Sequence, residues 1–162
     1  MSAETLYDVN KLMAEARKLA ADYRKMTGKA LGISNEIAVH DVIRLMNLVS
    51  VPEQQCGFDA IGKGDIEGKR IQIKGRTMTA DKKQNLRIGQ IKMEQEWDSV
   101  MLVLLDEDYQ PIEIFEAERD VIVDAVGESN SKRKNRGALT VARFKYISTQ
   151  VWSNAQNISN CP

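Results

Sequence analysis

Six consecutive apolar residues, Val100-Met101-Leu102-Val103-Leu104-Leu105, constrain the fold of this chain more than any other segment. A run of this length suits a strand, and a strand apolar on both sides must be covered on both faces of its sheet. Asp106-Glu107-Asp108 ends it. Helical material is available to do the covering. From Thr5 to Met26 the apolar residues Leu6, Val9, Leu12, Met13, Ala16, Leu19, Ala20, Tyr23 and Met26 recur at three- and four-residue steps, the period of an amphipathic helix, which Gly28 and Gly32 then break. A second helix is predicted from an N-cap at Ser34 or Asn35 to about Asn47. Its Ile37, Ala38, Val42, Ile43, Leu45 and Met46 leave few polar positions, so it should be largely buried.

Between these helices and the apolar run, Phe58 to Ile61 and Lys69 to Lys74 read as two strands separated by the turn-forming Gly62, Gly64 and Gly68. The second alternates, sending Ile71 and Ile73 to one face and Arg70, Gln72, Lys74 and Arg76 to the other. Pro111 to Ala117 predicts an edge strand, Asp120 to Val126 a short helix closed by Gly127, and Thr140 to Trp152 a further helix. Glu128 to Gly137 is the one segment that reads as a flexible connection. The order of elements predicts an α/β protein: a mixed β-sheet flanked by helices, with helical N- and C-terminal segments. At 162 residues the chain is expected to form a single domain, 1–162. Cys56 and Cys161 lack metal-ligand spacing, and no apolar run is long enough for a membrane span or a signal peptide. The expectation is a reduced, cytoplasmic protein with no membrane partner.

The formal charge is zero, but it is unevenly placed. Residues 69–92 hold eight Lys or Arg against one acid, Asp81, whereas residues 94–128 hold twelve acids against Arg119. Lys132-Arg133-Lys134-Asn135-Arg136 is basic again. Such polarity can give a neutral protein one basic face, or it can dissolve into solvated surface on folding.

The segment richest in chemistry is Gly57-Phe58-Asp59-Ala60-Ile61 followed by Lys69-Arg70-Ile71-Gln72-Ile73-Lys74-Gly75-Arg76. One strand carries an acid near its start, and the next presents an oxygen ligand and a lysine two residues apart on one face. Phosphodiester hydrolysis with a hard divalent cation needs oxygen ligands for the metal and a positive charge near the attacking water. Asp59, Gln72 and the Ile73 carbonyl are candidate ligands, and Lys74 is the candidate charge. If the turn centres on Glu67-Gly68, simple pairing sets Asp59 opposite Arg76, and a bulge at Gly62 or Gly64 is needed to bring it toward Gln72 and Lys74.

In these residues the chain resembles the PD-(D/E)XK, or restriction-endonuclease-like, nuclease superfamily, whose core is a mixed sheet between helices. Asp59 matches the motif's Asp, Ile73 its variable position and Lys74 its Lys, while Gln72 stands where most members have an acid. A neutral amide is a weaker Mg²⁺ ligand than a carboxylate, although some restriction-type members carry Gln there. Phe58 replaces the nominal Pro. The resemblance spans roughly residues 34 to 105 and implies that Glu36, on the helix before the sheet, reaches the same metal. The stretch from Gly57 to Arg76, with Arg136-Gly137-Ala138-Leu139-Thr140 and Arg143-Phe144-Lys145, also resembles a family of small microbial or phage domains with no well-described role.

The resemblance implies a DNA endonuclease using Mg²⁺ or Mn²⁺, with Asp59, Gln72, Lys74 and Glu36 as catalytic residues and Asp59, Gln72, Ile73 and Glu36 around the metal. Arg70, Arg76, Lys82, Lys83 and Arg87, extended by Lys132, Arg133, Lys134, Arg136 and Arg143, are the candidate phosphate contacts. Cutting two strands implies a homodimer, for which the segment Val100 to Ala117 offers an edge. The alternative is a nuclease fold without catalysis that binds DNA or a protein partner, for example in a restriction or phage-defence assembly. No nucleotide cofactor is expected, because phosphate-binding Gly-rich motifs and dinucleotide fingerprints are missing. His40, four residues after Glu36, can share its helix face, but a lone His is more often structural. Trp97 and Trp152 are expected to pack and not to stack on bases.

Overall fold

A computed structural model of the chain describes residues 3–52, 57–79, 86–127 and 139–154, with side chains from residue 8 onward. Helices α1 (Ala3–Thr27) and α2 (Ser34–Leu45) come first. Strands β1 (Val49–Ser50), β2 (Ala60–Ile61), β3 (Arg70–Thr77), β4 (Ser99–Leu105) and β5 (Pro111–Glu118) follow, then α3 (Arg119–Gly127), α4 (Val141–Ile147) and β6 (Thr149–Ser153). The strands form one mixed sheet in sequence order, with β3 and β4 parallel and every other neighbouring pair antiparallel.

Strand β4 lies inside the sheet with all seven residues buried, as its unbroken apolar run requires. Its side chains alternate between two separate cores. Met101, Val103 and Leu105 join Ile71, Ile73 and Ile114 beneath Ile37, Ala38 and Val42 of α2. Val100, Leu102 and Leu104 join Phe115 and Ala117 beneath Ile122 of α3 and Phe144 of α4, with Trp97 fully buried among them. The sheet is therefore sandwiched by helices, and the α1/α2 layer is the one that abuts the candidate site.

The first two helices match their predicted extents closely, but the caps differ. Ile33, not Ser34 or Asn35, is the N-cap of α2 and offers no side-chain hydrogen bond. At the other end, Met46 N donates to Val42 O and Asn47 turns left-handed at φ 54, so the helix stops at Leu45, short of Asn47. Asn is among the few residues that tolerate this conformation. A bidentate ion pair ties the helices together: Arg17 Nη2 and Nη1 lie 2.6 and 2.9 Å from the fully buried Asp41 carboxylate, and Arg17 also donates to the Tyr109 carbonyl in the β4–β5 turn.

Two predictions fail at the far side of the sheet. The predicted helix from Thr140 to Trp152 ends at Ile147, where Ser148 takes an extended conformation and the chain continues as β6. Val151 and Trp152 then pack against the α1/α2 core, so the C-terminal segment is part helix and part strand. Strand β5 is consequently not an edge, since it is paired by β4 on one side and β6 on the other. The segment Val100 to Ala117 therefore offers no free edge for a dimer. Residues 128–138, expected to be flexible, lie outside the described residues.

Candidate active site

Strand β2 is only two residues long, and this shortness makes the site. Ala60 pairs with Ile71 and Ile61 with Arg70, so the pairing centre falls at Asp65-Ile66, two residues before the predicted Glu67-Gly68. The long connection closes on itself: Gly62 N donates to Lys69 O at 2.8 Å, Gly68 N to Gly62 O at 3.2 Å, and a single 3-10 turn, Gly64–Ile66, fills the interior. Asp59 is thereby set beside Gln72 and Ile73, instead of opposite Arg76, while Gly62 keeps the register by pairing with Lys69. Its amide donates to Ile71 O at 2.9 Å, and its Oδ2 accepts from Ile73 N at 2.7 Å. The carboxylate thus replaces the next rung of a ladder that β2 is too short to provide. A strand residue's N–H and C=O point to the same side, so the Ile73 carbonyl faces this open edge as well.

Gln72 leaves the opposite face of β3 and is only 3% exposed. Its Nε2 donates to Gly57 O at 2.9 Å, which fixes the orientation of the amide, and its Oε1 is buried without a hydrogen-bond donor. Gly57 is required for this arrangement. It sits at φ +95, and a Cβ there would stand 2.7 Å from Gln95 Cβ and 2.8 Å from Glu96 O. The backbone of residues 93–97 that Gly57 abuts is itself clamped: Arg119 donates to the carbonyls of Met93, Gln95 and Trp97 and stacks 4.4 Å from the Trp97 ring centroid.

Asp59, Gln72, Ile73 and Lys74 line the floor of a cleft of about 650 Å³. Glu36, His40 and Arg44 contribute to its wall from α2, Val51 and Pro52 from the chain after β1, and Lys92 from the crossover between β3 and β4. Burial lowers the pKa of Lys74; Asp59 opposes that, while Lys92 and Arg76 push it further down. Lys74 is therefore closer to proton exchange at neutral pH than an ordinary lysine. Burial also lowers the pKa of His40, which favours the neutral imidazole. Glu36 lies on the same cleft, but its charge is not among those that act on Lys74.

Among the described residues, no group of three or more His, Cys, Asp or Glu side chains gathers where it could hold a metal. The available donors are instead mixed: Asp59 Oδ1, Gln72 Oε1 and the Ile73 carbonyl, with Glu36 on the helix wall. All are hard oxygens, the set that Mg²⁺ or Mn²⁺ prefers. A buried amide oxygen lacking a donor costs about 1–3 kcal/mol, and a cation would remove that cost. The donor chemistry fits a hard divalent cation.

The candidate phosphate contacts fare unequally. Arg70 is held by Asp98 at 3.1 Å and Glu96 at 2.9 Å, and Lys69 by Glu116 and Glu118. The basic and acidic stretches of the sequence thus neutralise one another here, and Arg70 is engaged by two acids. Arg76 is half-buried and donates to the carbonyls of Arg87 and Gly75. Arg87 is exposed, and Arg143 is exposed with its guanidinium 5.7 Å from the Tyr146 ring centroid. Lys82, Lys83, Lys132, Arg133, Lys134 and Arg136 lie outside the described residues. Sequence reasoning passed over Lys92 and Arg44. Lys92 was one of eight in a basic run, but Arg44 had a signal: it follows Glu36 and His40 at four-residue steps on one helix face.

No protein-family model matches this chain, and no curated protein is significantly similar to it. Its class is accordingly defined by its own architecture: an α/β protein with a mixed six-stranded sheet flanked by helices. Among the described residues, no helix is long and apolar enough to cross a membrane.

Proposed function

We propose that the chain is a divalent-cation-dependent nuclease of the PD-(D/E)XK type, with Asp59, Gln72 and Lys74 at its centre. One observation carries this reading: the donorless Oε1 of Gln72 is buried one residue from the Ile73 amide that Asp59 holds, in a cleft where Lys74 has a lowered pKa. The mixed sheet between helices supports the same assignment, as does the departure from the motif's acid. A Glu at position 72 would turn an oxygen toward the Gly57 carbonyl, whereas Gln donates to that carbonyl and still offers an oxygen.

When bound, a Mg²⁺ or Mn²⁺ ion held by Asp59, Gln72 and the Ile73 carbonyl would supply positive charge to the phosphate and acidify water. Lys74 Nζ, in its neutral form, takes the proton of the water that attacks phosphorus; the P–O bond to the leaving sugar oxygen breaks as the new P–O bond forms, and a solvent water protonates that oxygen. Asp59 is held in place by the Ile73 amide, and Gln72 by Gly57. Lys92 adds charge at the mouth of the cleft.

The test is incubation of the protein and its Lys74→Ala variant with supercoiled, linear and single-stranded DNA in Mg²⁺ or Mn²⁺. Cleavage that disappears both in the variant and in chelator is the expected result. Intact DNA throughout, with calorimetry detecting no bound metal, favours the second reading, a non-catalytic module that binds DNA or a protein partner. The observation behind that reading is that no three acids or histidines converge among the described residues.

A further inference from the structure

We propose that the cleft accepts nucleic acid as a single unstacked strand and excludes intact duplex. This rests on the nuclease reading and takes it further by naming the state of the substrate.

The first argument is depth. Gln72 is 3% exposed and Lys74 is half-buried, so a phosphodiester must enter the cleft to meet them. At about 650 Å³ the cleft has the capacity of a small-molecule pocket, sufficient for a nucleotide and its neighbouring phosphates. Base pairing holds each phosphate of a duplex on a rigid cylinder whose major groove alone is about 12 Å wide, whereas a single strand can bend into a recess.

The second argument is the division of the walls. Val39, Ile43, Val51 and Pro52 give an apolar surface on which an unpaired base or its sugar can lie. Paired bases in a duplex have no apolar face to offer at that position. Beside this surface run the polar groups. His40 and Arg44 succeed Glu36 along α2 at roughly 6 Å per four-residue step, and Lys92 lines the same cleft from the crossover. Phosphates of an unstacked strand lie farther apart than the roughly 3.4 Å of duplex rise, and two such helical steps, about 12 Å, still span more than one of them. Arg44 is available for this role because its side chain is 53% exposed and stands 3.8 Å from Asp41, which Arg17 already neutralises at 2.6 Å.

The experiment is fluorescence anisotropy of a short labelled oligonucleotide, alone and as a blunt duplex of the same sequence, in Ca²⁺ and in chelator. Parallel incubations in Mg²⁺ and Mn²⁺ report cleavage. The single strand is expected to bind at least about tenfold more tightly than the blunt duplex. Arg44→Gln and Lys92→Gln are each expected to weaken single-strand binding severalfold, with unchanged circular dichroism. Equal or tighter binding of the duplex overturns the inference, and Lys74-dependent cleavage of that duplex would leave the nuclease reading standing. Preferential single-strand binding that neither variant changes overturns the placement of the strand in this cleft. Single-strand binding in the cleft without cleavage upholds the inference while overturning catalysis, and binding of neither nucleic acid overturns both.

Discussion

The two halves of β3 carry the same kinds of residue to opposite ends. Where it begins, Arg70 and the preceding Lys69 are saturated by Glu116, Glu118, Glu96 and Asp98. Four residues later, Lys74 has only the charge of Asp59 acting in its favour, with Lys92 and Arg76 acting against it. The ionisation equilibria diverge accordingly. Burial alone would lower the pKa of Lys69, but its two carboxylates outweigh burial and raise it, whereas burial prevails at Lys74. Charge count along a sequence therefore says little about where positive charge is available; the acid that a fold brings alongside decides it.

The largest effect expected from breaking this contrast is on cleavage. Lys74→Ala should lower the metal-dependent rate on the order of 10²- to 10⁴-fold, the usual contribution of a general acid or base, while Lys69→Ala leaves it close to the parent. Equal losses in the two would dissolve the distinction between the halves. Next in size is Gln72→Glu, which sets a carboxylate oxygen against the Gly57 carbonyl in place of the Nε2 donor. We expect a loss of about 1–3 kcal/mol in urea denaturation with chelator present, partly recovered on adding Mg²⁺. An identical loss with and without Mg²⁺ would remove position 72 from the metal site.

Smaller and opposite in sign are the pH effects. The folded pKa of Lys74 lies below the ordinary 10.5, so between that value and 10.5 the unfolded chain holds more protons and stability rises with pH. For Lys69 the folded pKa is raised, so its contribution is complete below 10.5 and is lost as pH climbs through the folded value. Denaturation of Lys74→Met and Lys69→Met across this alkaline window should flatten the two trends separately. The smallest effect is expected at the saturated end: Arg70→Ala should leave the thermal unfolding midpoint close to that of the parent, because exposed ion pairs contribute little.

Much of the frame was legible. The apolar run located β4, and three- and four-residue periodicity located α1 and α2, because each of those elements buries a long and regular face. Thr140 to Trp152 defeated the same method, since Val141, Phe144, Ile147 and Val151 fit a helical stripe whether or not the chain turns at Ser148. What decided the matter is non-local: β5 had an outer edge to be paired, and β6 pairs it. Asp59, Gln72 and Lys74 were legible as a spacing, but their register was not, because it depends on how many residues the Gly62–Lys69 connection absorbs. The amide of Gln72 has one end satisfied and one end without a donor, and that required Gly57 O to be in place.

The Arg17 guanidinium has implications for the order of assembly. Its carboxylate partner, Asp41, lies 24 residues away, but the Tyr109 carbonyl that shares the guanidinium is 92 residues distant. A hairpin of α1 and α2 can therefore form early through a local contact, yet its ion pair is sealed from water only after β4 and β5 have turned beneath it. Contacts of such different sequence separation impose different loop-closure costs. The N-terminal helices should accordingly acquire protection from hydrogen exchange in two stages, with the amides around Asp41 slowing for a second time as the sheet closes.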